Sequence, residues 1–65
     1  MTATDNIKAL AKRYPHATPR AIREMATDLG LSTAYDPARR TWFIAEDATT
    51  VRTFNDHLAD FDFTA

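Results

Sequence analysis

Apolar side chains recur with helical spacing in three stretches of this chain and as two strand-like runs in a fourth. Ile7, Leu10, Ala11 and Tyr14 fall at i, i+3, i+4 and i+7, which predicts an amphipathic helix over residues 4–14. Thr4 or Thr2 can cap its start, Asp5 suits its positive end, and Pro15 stops it by disfavouring helical geometry in the residue before. The spacing repeats at Ile22, Met25, Ala26 and Leu29, giving a second helix over residues 18–29. Thr18 is its expected N-cap, with Pro19 at the first helical position, where no amide donor is missed. Gly30, the chain's single glycine, is expected to end that helix with a positive φ. The face opposite the apolar stripe carries Arg20, Arg23, Glu24 and Thr27.

Residues 31–45 predict an antiparallel hairpin. Leu31–Tyr35 and Thr41–Ala45 supply strands rich in aromatic and β-branched residues, and Asp36-Pro37-Ala38-Arg39 supplies turn chemistry. Such a turn exposes Arg39 and Arg40. A third helix is expected over residues 48–60, starting near Asp47–Thr49, with an apolar seam of Val51, Phe54, Leu58 and Phe61. The chain then ends on Phe61 and Phe63 alternating with acids. The result is one α+β domain spanning residues 1–65 in the order α-α-β-β-α, its three helices packed against a two-stranded hairpin so that every apolar face is covered.

Composition narrows the classes. Sixty-five residues make one domain with a marginal core. The absence of cysteine excludes disulfides and thiolate metal sites and favours a cytoplasmic setting. The longest apolar run, Trp42–Ala45, is far below the ~20 residues of a membrane span, so no membrane partner is expected. The first residues lack the basic start and apolar stretch of a secretory signal. Charge is uneven. Residues 1–44 carry seven Lys or Arg against four Asp or Glu, whereas residues 45–65 carry one against five, for a net −1. That split hints at a basic binding face with an acidic end.

Residues 18–44 resemble the recognition helix and wing of a winged helix-turn-helix DNA-binding domain, in particular that of DeoR-type bacterial regulators. The matching positions are Thr18, Arg20, Ile22, Leu29, Gly30, Tyr35, Asp36, Arg39, Trp42 and Ile44. In that family a Ser/Thr cap, an Arg and an Ile open the helix, a Leu-Gly closes it, and a Tyr-Asp-x-x-Arg-x-x-aromatic-aliphatic hairpin follows. Two positions depart from the pattern. Glu24-Met25 stands where the family has an Arg-Asp pair, and the chain has room for only one helix before the recognition helix. A winged-helix core here is therefore truncated or completed by the third helix. The resemblance implies double-stranded DNA as partner, with Thr18 and Arg20 on the recognition helix and Arg39 on the wing; Arg23 and Thr27 on the same helix face, and Arg40 at the hairpin tip, join them by their exposed positions. It also implies a transcriptional regulator or a recombination accessory factor of a phage or mobile element.

The residues argue in the same direction by themselves. Arg20 lies in the first helical turn, where the dipole disfavours a cation unless an anion such as phosphate binds there. Arg23 shares the solvent face and suits phosphate or guanine contacts. A second reading is a protein-binding inhibitor or adaptor acting through the outer hairpin face and the acidic tail. Strand alternation requires Trp42 and Phe43 to point to opposite sides. Trp42 is expected in the core, which leaves Phe43, with Phe61 and Phe63, as contact residues for a host protein or a second copy in a homodimer. The third-helix seam reads as core or as a dimer face. Catalysis has little footing. His16, His57 and the lone serine, Ser32, form no nucleophile, metal or phosphate-loop motif, so no enzyme, cofactor or metal is expected.

Overall fold

A computed structural model of the protein describes residues 3–61 and 63. Its elements are α1 (Ile7–Lys12), α2 (Pro19–Asp28), β1 (Thr33–Asp36), β2 (Thr41–Ile44) and α3 (Ala48–Asp60), in the expected α-α-β-β-α order. No helix among the described residues is long and apolar enough to cross a membrane.

The first helix is shorter than its apolar spacing suggests. Asn6 caps it, its side chain accepting from Ala9 N at 3.1 Å. Thr4 instead accepts from Asn6 N at 3.2 Å and is not the cap, while Thr2 lies outside the described residues. The residues before Ile7 are drawn into the sheet. Ile44 N donates to Asp5 O at 2.8 Å, and Asn6 forms an antiparallel bridge with Phe43. A segment that satisfies its backbone on a strand edge cannot also satisfy it in a helix, which is why helix residues 4–6 are lost.

α2 follows the sequence closely. Thr18 Oγ1 accepts from Ala21 N at 3.1 Å, and Pro19 occupies the first turn. At the other end Gly30 has a φ of 79°. Gly30 N donates to Thr27 O at 3.0 Å and Leu31 N to Ala26 O at 2.9 Å, the paired bonds of a Schellman close. The hairpin pairs Thr33 with Ile44, Ala34 with Phe43, Tyr35 with Trp42 and Asp36 with Thr41. Pro37 to Arg40 form the loop, and Asp36 Oδ1 accepts from Ala38 N at 3.0 Å. Asp47 caps α3, its side chain accepting from Thr50 N at 2.7 Å.

The core gathers one stripe from each helix and the base of the hairpin: Ile7, Leu10 and Ala11, then Ile22 and Ala26, then Ile44, then Val51, Phe54 and Leu58. Three of the four seam residues of α3 are therefore core and not a free dimer face. Phe61 lies past the helix end, 46% exposed. Leu29, the last residue of the α2 stripe, is 51% exposed, because the chain turns at Gly30 before the stripe can be covered.

Asn55 is the polar member of this interior. It occupies the i+4 place of a stripe formed with Val51, Phe54 and Leu58, and it is buried. Its Nδ2 donates to Thr4 O at 3.0 Å and Val51 O at 2.8 Å, and its Oδ1 accepts from Thr4 N at 3.2 Å and Arg13 Nη1 at 3.4 Å. Both amide partners of Thr4 thus come from one side chain, which holds the N-terminal segment against α3 while β2 holds it on the sheet.

Candidate nucleic-acid interface

Arg20, Arg23, Glu24 and Thr27 lie at i, i+3, i+4 and i+7 of α2 and share one face, turned away from Ile22 and Ala26. Thr18 stands at the head of this face, its hydroxyl used as the cap. Thr27 donates its hydroxyl to Arg23 O at 3.0 Å. Arg20 Nε donates to Glu24 Oε1 at 3.2 Å. A cation in the first turn therefore has an acid of its own helix one turn on, and no bound anion is needed to account for it. Between exposed groups such a pair adds little stability.

The hairpin meets this face through Arg23. Its guanidinium carbon lies 4.4 Å from the centre of the Trp42 ring, within cation–π range. Trp42 in turn packs edge-on against Tyr35 across the strands, at 5.6 Å and 64°. The expectation that Trp42 is core and Phe43 turned outward is thus reversed. Trp42 is 36% exposed and Tyr35 49%, whereas Phe43 is half-buried over the bridge to Asn6. Trp42 and Ile44 are on the same side of β2, yet Ile44 is only 1% exposed. The base of the hairpin covers the core and its outer half runs past it, so that the same face is apolar interior at Ile44 and open surface at Trp42.

The two loop arginines diverge. Arg39 Nε is 3.7 Å from Asp36 Oδ2. It borders a shallow depression with Asp5, Asn6, Asp36, Thr41 and Phe43, on the side of the hairpin away from Trp42. Arg40 is exposed, has no ion-pair partner among the described residues, and takes a φ of 54°. Of the residues expected to act together, the structure brings Arg20, Arg23 and Thr27 onto one face, keeps Thr18 as the cap at the start of the helix, and adds Trp42 and Tyr35. It separates Arg39 from that set.

The aromatic tail lies elsewhere. Phe63 stacks on Tyr14 at 5.3 Å and meets Phe61 edge-on at 4.8 Å, so one phenylalanine is tucked against the domain while Phe61 stays open. Asp62, between them, lies outside the described residues. Searches against protein-family models, curated proteins and solved structures find no match to this chain.

Sequence reasoning assigned Trp42 to the core and so left the Tyr35–Trp42 pair off this face. A partial signal was present, since the hairpin register that pairs Tyr35 with Trp42 puts the two on one side of the sheet. What the chain did not disclose is how far the hairpin overhangs the core.

Proposed function

We propose that the protein binds double-stranded DNA through the outer face of α2 and the hairpin beside it, as a small regulator or recombination accessory factor of winged-helix type. The observation that carries this reading is the Arg23–Trp42 contact, which joins the helix face and the hairpin into one surface of arginines, hydroxyls and planar side chains. Two further features support it. The N-terminal segment pairs with the free edge of β2, and α3 adds Val51, Phe54 and Leu58 to the core, so the outer face of α2 rests on a closed domain. Arg40 holds a left-handed backbone conformation that glycine or asparagine adopts more cheaply, and it keeps an exposed cation at the hairpin tip.

In this arrangement α2 enters the major groove while Arg40 grips phosphate from the wing. Arg39, drawn toward Asp36, contributes less. A gel shift at low salt against pooled duplexes tests the reading directly. Binding that weakens with salt is expected. Arg40→Ala should lower affinity for all sequences alike and flatten the slope of log affinity against log salt by about 0.9, since a phosphate contact releases counterions but carries no base information. The absence of salt-dependent binding to any duplex would refute the proposal.

The second reading is a protein-binding adaptor. It is favoured by the open Tyr35–Trp42 pair, which replaces Phe43 as the contact point on the hairpin, and by exposed Phe61 beside the acidic end of the chain. A host protein or a second copy docking there would cover Trp42 with no dependence on nucleic acid.

A further inference from the structure

We infer that Trp42 is a positioning residue for Arg23, and that Arg23, so held, selects a guanine in the bound duplex; the inference rests on the DNA-binding reading above. Arg23 differs from the other arginines of the surface in how its donors are used. Arg20 spends Nε on Glu24, and Arg39 leans on Asp36. Arg23 is half-buried, and its guanidinium donates no hydrogen bond among the described residues. The indole of Trp42 covers the guanidinium at 4.4 Å, and the edge-on Tyr35 at 5.6 Å fixes the indole.

A guanidinium carries five N–H donors in its own plane and none above or below it. Arg23 is held by a ring face and by no hydrogen bond among the described residues, so its donors stay uncommitted while the side chain loses much of its freedom to turn. What remains is a rigid fork that calls for two acceptors side by side. Guanine offers this pair, O6 and N7, on the major-groove edge, where adenine and cytosine place an amino donor and thymine a methyl group. A phosphate offers two oxygens as well. Guanine is favoured by placement, because Arg23 sits in the N-terminal half of α2 on its outward face, the part of a recognition helix that meets base edges. A swinging phosphate contact would gain nothing from the clamp.

The test begins with the preferred site of the unmodified full chain, recovered from a randomised duplex pool by repeated binding. Each guanine of that site is then exchanged for adenine, and affinities are compared for Arg23→Lys, Trp42→Leu and Trp42→Phe. One guanine should matter by about tenfold or more to the unmodified protein. Arg23→Lys keeps the charge but loses the fork, and it should abolish that preference while non-specific affinity stays within a few-fold. Trp42→Leu should do the same through Arg23, and Trp42→Phe, which restores a ring face, should recover most of it. Trp42 is the only tryptophan, so its emission in the free protein should also change in Arg23→Ala.

Three results would overturn the inference. If Arg23→Lys keeps the guanine preference, no fork is read. If Arg23→Lys loses it but Trp42→Leu keeps it, Arg23 reads without being positioned. If Arg23→Ala lowers affinity for every sequence equally and flattens the salt slope by about 0.9, Arg23 is a phosphate contact. Lack of any duplex binding by the unmodified chain would instead overturn the DNA-binding reading itself, and this inference with it.

Discussion

Asn55 and Arg23 both sit on helices and both bring polar atoms against the rest of the domain, yet they end in opposite conditions. Asn55 lies inside, on the apolar stripe of α3, and both ends of its amide are engaged, with Thr4, Val51 and Arg13. Arg23 lies at the edge, on the polar face of α2, where its guanidinium carbon sits 4.4 Å from the Trp42 ring centre and its side chain donates no hydrogen bond among the described residues. The contrast separates structure from function. A buried polar group is tolerated when its hydrogen bonds are made within the protein, and it then acts as a fastener. A half-covered one that makes no hydrogen bond within the described residues has donors left over, and the proposed duplex contact draws on them.

The comparison can be broken most sharply at Asn55. Asn55→Ala strands the N–H and C=O of Thr4, and leaving such groups unsatisfied costs about 1–3 kcal/mol, a large share of the stability of a domain this small. Urea unfolding should show that loss, while duplex affinity per folded molecule stays unchanged. A loss of affinity with no loss of stability would reverse the roles assigned to the two residues.

The next effect has the opposite sign. Arg40 pays a left-handed backbone penalty of about 1 kcal/mol, so Arg40→Gly should raise the unfolding free energy by up to that amount while weakening duplex binding. A variant that is both more stable and less active would mark Arg40 as kept for its side chain. Smaller still is the stability change expected of Arg23→Ala. An exposed cation–π contact is worth about 0.5–1 kcal/mol, so its thermal midpoint should move little even where sequence discrimination is lost.

The smallest effect depends on pH. The Asp47 carboxylate accepts hydrogen bonds from Thr50, which hold its pKa below the ordinary 3.8. A carboxylate whose pKa is lower in the folded than in the unfolded chain stabilises the fold at pH above the unfolded value. That contribution fades as pH falls through the folded value. Thermal melts between pH 7 and pH 2 should therefore show an acid-side decline. Asp47→Asn, which keeps a capping oxygen without a titrating group, should make that decline shallower.

Much of this architecture is legible in local chemistry. Thr18-Pro19 and Gly30 mark both ends of α2, because capping and a left-handed close depend on neighbours a few residues away. Asp36-Pro37 announces the hairpin turn for the same reason, and Asp47 caps α3 within the expected interval. The polar face of α2, with Arg20, Arg23 and Thr27 together, also follows from helical spacing alone. Even Asn55 was within reach, as a polar residue in the i+4 slot of an apolar stripe.

The rest belongs to pairings between residues far apart in the chain. Residues 4–6 read as helix until β2 offers them a free edge, 38 or so positions later, and that competition is invisible to any local pattern. Alternation decided that Trp42 and Phe43 face opposite ways, but not which side would be covered. The choice fell to how far the hairpin reaches beyond the core, which depends on where α1, α2 and α3 meet Ile44. The same overhang put the indole of Trp42 over Arg23, whereas the pull of Asp36 on Arg39 is local to the turn. Local sequence determined which side chains each element carries on each face. The packing of those elements determined which faces are joined, because burial and stacking depend on distances that only the closed fold defines.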